Sequence, residues 1–344
     1  MNAVYYSSPK QFEVKEVPIP EPSDEEVLLK VSYCGLCGTD CHIHDGEFIA
    51  KFPLIPGHEV VGTIVRLGSA VPGDKFKIGD LCVADNGSSC DKCFFCRRGK
   101  SLLCEDFRSK GVTMDGGFAE YVTFNHAKLY RTTLPPQSAT LVEPTACAIH
   151  GADRVRLNVG DEVLICGAGP TGLILAQLLR LNGAQRLVVA APKGPKTEVA
   201  KKLGVADSII ELSRDPSDAS KQWDLLKTEN PYGFDVVVEA TGSPALAQSA
   251  LSFVRRGGTL LVYGVYDEKA RVEWSPGRIF GDEITIIGSF AQTHCFPRAV
   301  QYLESGKIKT EGMITDVFKL ADYQAALDRI KSKGAVKVII DAQG

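Results

Sequence analysis

Four cysteines within a short stretch of the chain have the spacing of a metal site: Cys90, Cys93, Cys96 and Cys104. The two-residue gaps place neighbouring sulfurs within reach of one ion, and the longer gap returns a fourth thiolate to complete a tetrahedron. Four thiolates are the donor set of structural zinc sites, which leave no position open for a substrate. The alternatives are disulfides or four unrelated thiols, but cysteines this close in sequence are hard to join in pairs. The spacing therefore predicts a structural zinc ion.

A second set of possible metal ligands lies outside this cluster and has mixed chemistry. Gly-Leu-Cys-Gly-Thr-Asp occupies positions 35–40, Gly-His-Glu occupies 57–59, and Glu-Pro occupies 143–144. One thiolate, one imidazole and one or two carboxylates can hold a zinc ion and still leave a position open for a substrate. Each residue alone would more often belong to the core, so the prediction depends on their joint occurrence. The candidate ligands of a catalytic zinc are Cys37, His58, Glu59 and Glu143.

A glycine-rich run indicates a dinucleotide site. Gly167-Ala168-Gly169-Pro170-Thr171-Gly172 follows an apolar strand pattern and opens a helical one. In such a turn the first glycine permits the tight bend, the second lets a pyrophosphate approach the backbone, and the third lets helix and strand pack closely. A purely structural turn is the alternative, but the whole βαβ pattern is present. We therefore expect Gly167, Gly169, Pro170, Thr171 and Gly172 to bind the cofactor.

The end of the next strand bears on which nicotinamide cofactor is used. NAD enzymes usually place an acidic residue there to bind the ribose 2′-hydroxyl. This chain has Ala191 at that place, followed by Lys193 and Lys196. A missing carboxylate and two added ammonium groups favour a 2′-phosphate, although both lysines could instead be ordinary solvated side chains. The prediction is NADP, with NAD as the alternative, and Ala191, Lys193 and Lys196 are assigned to the cofactor site.

Two patterns of elements surround these motifs. Up to about residue 130, short strands alternate with turns rich in glycine and proline, which predicts an antiparallel barrel-like domain. Beyond Val159, strands and helices alternate, which predicts a doubly wound parallel sheet in an α/β protein. We expect a catalytic domain over 1–150, a dinucleotide-binding domain over 151–286, and a segment 287–344 that returns to the first domain. In the second domain the expected helices are Gly172–Leu181, Lys196–Leu203, Ala219–Thr228 and Ala245–Arg255.

Composition narrows the possible partners. The formal net charge is −3 and basic residues are scattered, so no nucleic-acid footprint is expected. No apolar run approaches the ~20 residues of a membrane span. The first residues lack the pattern of a signal peptide. Eleven cysteines without such a signal fit a reducing compartment, so the expected location is cytoplasmic.

Taken together, these motifs resemble those of the zinc-dependent medium-chain dehydrogenases/reductases, over essentially the full chain. An acid at Glu143, where many alcohol dehydrogenases carry cysteine, resembles the polyol branch and, with the NADP-type loop, fungal arabinitol dehydrogenases. The resemblance implies a Rossmann domain plus a GroES-like, mostly-β catalytic domain. It also implies that Cys37, His58 and Glu59 bind the zinc ion directly, with Glu143 as an exchangeable or water-bridged ligand. Asp40 would accept the other imidazole N–H of His58.

The resemblance also suggests a proton path and a reaction. Thr39 would take the proton of the substrate hydroxyl, and His42 would pass it to solvent through the cofactor ribose. The alternative for Thr39 is a turn hydroxyl bonded to backbone. Zinc would lower the pKa of the substrate hydroxyl, and hydride would pass to the nicotinamide. The expected reaction interconverts a polyol or secondary alcohol with its ketone, with a pentitol such as D-arabinitol preferred as substrate.

The substrate contacts are less well determined by the sequence. An Arg-Tyr pair common in sorbitol dehydrogenases is absent from residues 289–297, so polyol contacts would have to come from other groups, of which Gln292 and His294 are candidates. Phe48, Phe118 and Phe290 are candidate pocket walls, with ordinary core residues as the alternative. The alternatives are a diol, threonine or aryl-alcohol dehydrogenase, or a silent dinucleotide-binding protein, which should show a broken catalytic set. Family resemblance further suggests a homodimer or homotetramer.

Overall fold

The computed structural model describes residues 1–47 and 49–344, which form two compact units. Unit 1 consists of Met1–Ala146 and Gln292–Gly344, and unit 2 of Cys147–Ala291. Across the described residues, every helix is too short or too polar to cross a membrane.

The elements of both units are as follows. The strands are β1 (Asn2–Ser8), β2 (Gln11–Glu16), β3 (Glu26–Leu36), β4 (Glu59–Leu67), β5 (Leu81–Ala84), β6 (Gly87–Ser88), β7 (Arg108–Ser109), β8 (Tyr121–Asn125), β9 (Leu129–Arg131), β10 (Glu162–Cys166), β11 (Arg186–Pro192), β12 (Ser208–Leu212), β13 (Phe234–Glu239), β14 (Val254–Val262), β15 (Thr285–Gly288), β16 (Ile314–Lys319) and β17 (Lys337–Asp341). The α-helices are α1 (Gly38–Asp45), α2 (Pro136–Ala139), α3 (Val142–Val155), α4 (Pro170–Leu181), α5 (Pro195–Leu203), α6 (Pro216–Glu229), α7 (Pro244–Ala250), α8 (Pro276–Gly281), α9 (Phe296–Glu304) and α10 (Tyr323–Lys331). Short 3₁₀ turns cover Cys96–Arg98, Ser101–Leu103, His126–Lys128, Leu251–Phe253 and Leu320–Asp322.

Unit 1 is organised around the long strand β3. The main sheet has the order β16-β17-β3-β4-β5-β9, and β8 also pairs with β3. Both β17 and β4 run antiparallel to β3, and Gly35 is the register partner of Ile339 on one side and Glu59 on the other. The last residues of β3 therefore lie between the first residues of β4 and β17. This end of the sheet carries the residues of the mixed ligand set.

Unit 2 is a parallel sheet of six strands in the order β12-β11-β10-β13-β14-β15. The middle residues of its central strands are apolar, as is typical of parallel strands buried on both faces, and Val163, Leu164 and Ile165 of β10 are completely buried. The strand order reverses between β10 and β13, and ligands of such sheets bind at the carboxyl ends of the strands beside this point. The doubly wound α/β architecture expected from the sequence is confirmed.

One helix expected in unit 2 was wrong at its end. The pattern predicts a helix over Ala245–Arg255, but α7 ends at Ala250 and strand β14 begins at Val254. The reason is tertiary: Val254 is buried and is the register partner of Phe234 in β13. Sheet pairing thus overrides a locally helical pattern.

Candidate active site

The four clustered cysteines converge in a small lobe of unit 1. Their Sγ atoms all lie within 4.8 Å of one another, and none of the four is joined in a disulfide. The two 3₁₀ turns bring Cys96 and Cys104 back towards the other two, and the short ribbon of β6 and β7 closes the lobe at its base. Backbone amides of Cys96 and Glu105 donate to the Cys93 sulfur and lower the pKa of this thiol to about 6. The lobe therefore brings four sulfur donors within reach of one ion.

The mixed ligand set converges where β3, α1 and β4 meet. One donor atom each of Cys37, His58 and Glu59 lies within 4.8 Å of the other two. Cys37 is the N-cap of α1 in an extended conformation, and its backbone N–H donates to Oδ2 of Asp40 at 2.8 Å. His58 directly precedes β4, whose first residue is Glu59. Three donors from two neighbouring segments thus meet in a largely buried place.

A buried lysine that the sequence analysis missed lies beside these donors. Lys337, at the start of β17, forms an ion pair with Glu59, and their side chains are 3% and 1% exposed. Burial lowers the pKa of Lys337, but the charges of Glu59 and Cys37 outweigh it, so the pKa is raised. Space for the carboxylate depends on Gly35, because a Cβ there would lie 1.7 Å from Oε2 of Glu59. A lone lysine in the apolar run 336–340 was the available signal.

Negative charge dominates the surroundings of His58. Burial lowers the pKa of His58, but Asp40, Cys37 and Glu143 outweigh this and hold the pKa well above its usual range. Nδ1 of His58, Oδ1 of Asp40 and Oε1 of Glu59 are buried without a hydrogen-bond partner among the described residues. Buried polar atoms without partners are costly, and a cation bound by Cys37, His58 and Glu59 would satisfy the free carboxylate oxygen of Glu59. The residues present therefore fit a metal ion.

Asp40 and Glu143 are placed differently from what the resemblance implies. Asp40 Oδ1 and His58 Nδ1 lie 3.7 Å apart, so the expected hydrogen bond is not formed. Asp40 is instead held through its other oxygen by Cys37, and burial raises its pKa to about 6. Glu143 is 9% exposed at the start of α3 and does not belong to the group of donors within 4.8 Å. Its charge nevertheless acts on His58, which places it near the site.

The two residues expected to move a proton lie on α1. Oγ1 of Thr39 lies 3.7 Å from Sγ of Cys37, within reach of a weak hydrogen bond to sulfur. Nδ1 of His42 lies 2.9 Å from Oε2 of Glu47, a partner that the sequence analysis did not identify. A carboxylate on one ring nitrogen fixes the tautomer and leaves the other nitrogen to exchange a proton. Thr39 therefore adjoins the donor set, and His42 is oriented by Glu47.

The glycine-rich turn has the expected construction in unit 2. Gly167 has φ 117°, a conformation that other residues rarely adopt, and a Cβ on Gly172 would lie 2.2 Å from the carbonyl oxygen of Gly167. At Gly169, the N-cap of α4, a Cβ would meet no atom within 4 Å. The first and third glycines thus serve the turn and its packing, while the second faces open space where a pyrophosphate can approach.

A buried carboxylate shapes the opposite side of this turn. Glu239, at the end of β13, is completely buried and accepts the backbone N–H of Thr241 at 2.8 Å and of Gly242 at 3.2 Å. It also accepts the hydroxyls of Thr241 and Tyr266. The resulting loop contacts Gly167, since a Cβ there would lie 2.9 Å from Cγ2 of Thr241. Glu239 therefore holds the loop that packs against the glycine-rich turn, a role with no signature in the sequence.

The expected cofactor-selecting residues lie at the carboxyl end of β11. Ala191 is 2% exposed and carries no group that could bind a ribose hydroxyl. Lys193 is exposed just beyond the strand, and Lys196 is half-buried in the first turn of α5. The only acid paired in register with this end is Glu211 of β12, among the described residues, and it is engaged by Lys201 and Thr197. The local charge at the strand end is therefore positive.

The structure describes three of the residues expected to contact or enclose a substrate in unit 1 and one in unit 2. The side-chain amide of Gln292 donates to Asp85 at 2.8 Å and accepts from the N–H of Cys295 at 3.1 Å, and Gln292 is 6% exposed. These bonds orient Gln292 within the protein, and its contact with a polyol stays a prediction. His294 is exposed, and Phe290 is 42% exposed. Phe118 is completely buried in the core, and Phe48 lies outside the described residues.

Comparisons with known proteins agree with this geometry. Residues 23–136 match the family model of the alcohol dehydrogenase GroES-like domain, and residues 170–305 match that of zinc-binding dehydrogenases. Over 341 residues the chain is 58% identical to D-arabinitol dehydrogenase 1 of Uromyces fabae. The aligned region covers 99% of this chain and 97% of that protein. The chain belongs to the polyol branch of the zinc-dependent medium-chain dehydrogenases. It is an oxidoreductase of the alcohol and polyol dehydrogenase type.

More distant relatives of this dehydrogenase family carry related activities. The chain is 33% identical to the sorbitol dehydrogenase of Bacillus subtilis (strain 168), over 96% of this chain and 93% of that one. A crystal structure described as a zinc-binding dehydrogenase from Sinorhizobium meliloti 1021 bound to NADP superposes with a TM-score of 0.91. The two sequences are 32% identical, and the superposition covers 99% of this chain and 98% of the Sinorhizobium chain. The expected enzyme class and fold are thereby confirmed.

Proposed function

We propose that this dehydrogenase uses NADP(H) and zinc to interconvert a pentitol of the D-arabinitol type with its ketose. The observation that carries the proposal is the buried convergence of Cys37, His58 and Glu59 beside the hydroxyl of Thr39. The 58% identity to D-arabinitol dehydrogenase 1 supports a pentitol substrate, and the positive end of β11 supports NADP.

The roles proposed for the metal ligands follow from their chemistry. Cys37, His58 and Glu59 hold the catalytic zinc, Glu143 is an exchangeable or water-bridged ligand, and the four cysteines of the lobe hold the structural zinc. When bound, the catalytic ion supplies a Lewis acid that lowers the pKa of a substrate hydroxyl. The chain leaves one side of its donor set to substrate, whereas four thiolates close the lobe completely.

The proton of the substrate hydroxyl is removed by the chain's own side chains. Thr39 adjoins Cys37 and receives the proton through its hydroxyl, which can accept and donate at the same time. His42 then exchanges the proton with solvent, because Glu47 holds its imidazole on α1. When bound, the nicotinamide cofactor would accept a hydride from the carbinol carbon, and the glycine-rich turn would hold the cofactor by its pyrophosphate.

The NADP preference has its own mutational test. Lys193→Ala removes an ammonium group from the carboxyl end of β11, where Ala191 leaves no carboxylate. We expect the KM for NADPH to rise by about tenfold and that for NADH to change little, because only NADPH carries the 2′-phosphate. Steady-state kinetics with both cofactors measures this ratio. Equal changes in the KM values for NADPH and NADH would show that Lys193 does not bind the 2′-phosphate.

The substrate is tested by initial rates on a panel with each cofactor. The panel consists of arabinitol, xylitol, sorbitol, 2,3-butanediol, threonine and a simple secondary alcohol, with and without a zinc chelator. The expected result is chelator-sensitive oxidation of a pentitol with NADP⁺. A clear preference for butanediol or threonine would replace the substrate assignment, and activity with NAD⁺ alone would replace the cofactor assignment.

We also propose an organisation and an oligomeric state. The catalytic domain covers 1–150 and the dinucleotide-binding domain 151–286, with 287–344 completing the first. The chain forms homodimers or homotetramers, which light scattering on the purified enzyme measures directly. A monomer at micromolar concentration would contradict this last proposal.

A further inference from the structure

The carboxyl ends of β11 and β12 lie side by side at one edge of the unit 2 sheet. Ala191 is the register partner of Glu211, and Pro192 that of Leu212. The pairing continues one step beyond the strands, because the N–H of Lys193 donates to the carbonyl oxygen of Leu212 at 3.0 Å. The segments that follow the two strands therefore leave the sheet together. Residues just after β12 are close to the loop that carries Lys193.

Arg214 is the basic residue that this arrangement brings to the loop. Its Nη2 lies 3.8 Å from the position that a Cβ would take on Gly194. Arg214 is exposed, and within the part of the chain that the structure describes its guanidinium forms no hydrogen bond or ion pair. Gly194 directly follows Lys193, so an ammonium and a guanidinium group from neighbouring strands flank the same short loop. The sequence analysis, which followed β11 alone, did not find Arg214.

The nearby carboxylates are already committed to other partners. Glu211 pairs with Lys201 at 2.9 Å and accepts the hydroxyl of Thr197 at 2.7 Å. Asp215, next to Arg214, caps α6 by accepting the N–H of Ser217 at 2.9 Å. Neither acid pairs with Arg214. Lys193 and Arg214, between the two strand ends, therefore remain available to an anion.

We propose that Arg214 binds the 2′-phosphate of NADP(H) together with Lys193 and is a specificity-determining residue of this dehydrogenase. The proposal rests on the proposed use of NADP and adds a ligand from the neighbouring strand. A guanidinium group presents a rigid fork of donors that matches two phosphate oxygens, whereas an ammonium group acts as a point charge. Lys193 therefore attracts the phosphate, and Arg214 orients it. A ribose without the 2′-phosphate gains nothing from either residue.

The test compares two nucleotides that differ only in the 2′-phosphate, adenosine 2′,5′-bisphosphate and adenosine 5′-monophosphate. Their dissociation constants are measured by calorimetry on the zinc-loaded, full-length enzyme and on Arg214→Ala, Arg214→Lys and Lys202→Ala. Lys202 is the matched control, because it is an exposed cation on α5 that lies outside the proposed site. NADPH and NADH are measured in the same way.

For Arg214→Ala we expect about a tenfold loss of affinity for the bisphosphate and for NADPH, with the monophosphate and NADH unchanged. Arg214→Lys should recover part of this loss, and Lys202→Ala should bind all four ligands as the wild type does. If the wild type itself does not favour the bisphosphate, the proposed use of NADP is wrong. If the wild type does favour it but Arg214→Ala keeps the same preference, or loses all four ligands equally, the role of Arg214 is wrong.

Discussion

The two groups of possible metal ligands are built in opposite ways. The four cysteines come from one short segment, and three of them are only half-buried. Cys37, His58 and Glu59 come from two segments, and their site is completed by Lys337 from a third. The first group can be assembled by local turns alone, whereas the second requires the sheet of β17, β3 and β4. The four-cysteine group is therefore assembled locally, whereas assembly of the mixed group depends on the whole fold of unit 1.

This difference indicates what each group can do. Identical donors on a local loop saturate an ion and lock the loop, which stabilises structure. Mixed donors held by a sheet can leave a position open, because the sheet fixes their positions without further help from the ion. The buried carboxylate–lysine pair keeps the second site charged and rigid. If this comparison is correct, the two groups must respond differently to the loss of one member.

The largest expected effect follows from removing a mixed-site donor. Cys37→Ala should lower kcat by about a thousandfold, because the enzyme loses the Lewis acid at the reacting oxygen. Metal analysis should show one zinc ion lost and the other kept, and cofactor binding measured by fluorescence should not change. Cys41→Ala, one turn later on α1, is the matched control and should keep both ions. Full activity of Cys37→Ala would show that the mixed group is not the catalytic metal site.

The next largest effect concerns the buried ion pair of the same site. Lys337→Met leaves the carboxylate of Glu59 buried without its partner and should lower the free energy of unfolding of the metal-free protein by about 3 kcal/mol. With zinc bound the loss should be much smaller, because the ion then compensates the carboxylate. Urea denaturation with and without zinc measures both values.

An exposed ion pair in unit 1 provides the control for this experiment. Lys331 and Asp45 lie 3.1 Å apart with side chains that are 40% and 30% exposed. Lys331→Met should therefore cost under about 1 kcal/mol, with or without zinc. If Lys337→Met lowers the free energy of unfolding equally with and without zinc, Glu59 is not a ligand of the metal.

The smallest expected effect concerns the lobe. Cys96→Ser should remove the structural zinc and free the lobe, while the rest of unit 1 stays folded, so the melting temperature should fall by less than about 4 °C. Trypsin should then cut at Arg97, Arg98 or Lys100, and the remaining zinc should keep the enzyme active. Ser89→Ala in the same lobe should resist trypsin. Complete unfolding of the Cys96→Ser variant would show that the rest of unit 1 depends on the zinc-bound lobe for its stability.

The sequence was sufficient wherever a function depends on neighbouring residues. The four-cysteine cluster, the glycine-rich turn and the alternation of strands and helices in unit 2 are all local patterns, and the structure brings each together as expected. Sheet pairing decided the one expected helix end that failed, because Val254 pairs with Phe234 instead of continuing the helix.

Contacts between residues far apart in the sequence could not be predicted, because they depend on which strands pair in the sheet. Lys337 meets Glu59 because β17 and β4 both flank β3, and no local pattern records this adjacency. Arg214 approaches Gly194 only through the pairing of β11 with β12. The assignments of individual site residues stay predictions that the experiments above test.

The position of Lys337 also bears on how the chain matures during translation. Glu59 is synthesised 278 residues before Lys337, which lies in the last strand of the unit 1 sheet. At about 5–20 residues per second, a ribosome needs roughly 15–55 s to cover that distance. During that interval Glu59 has no Lys337 to pair with, because β17 has not yet been made. The mixed site therefore reaches its final charge only when the last strand joins the sheet, near the end of synthesis.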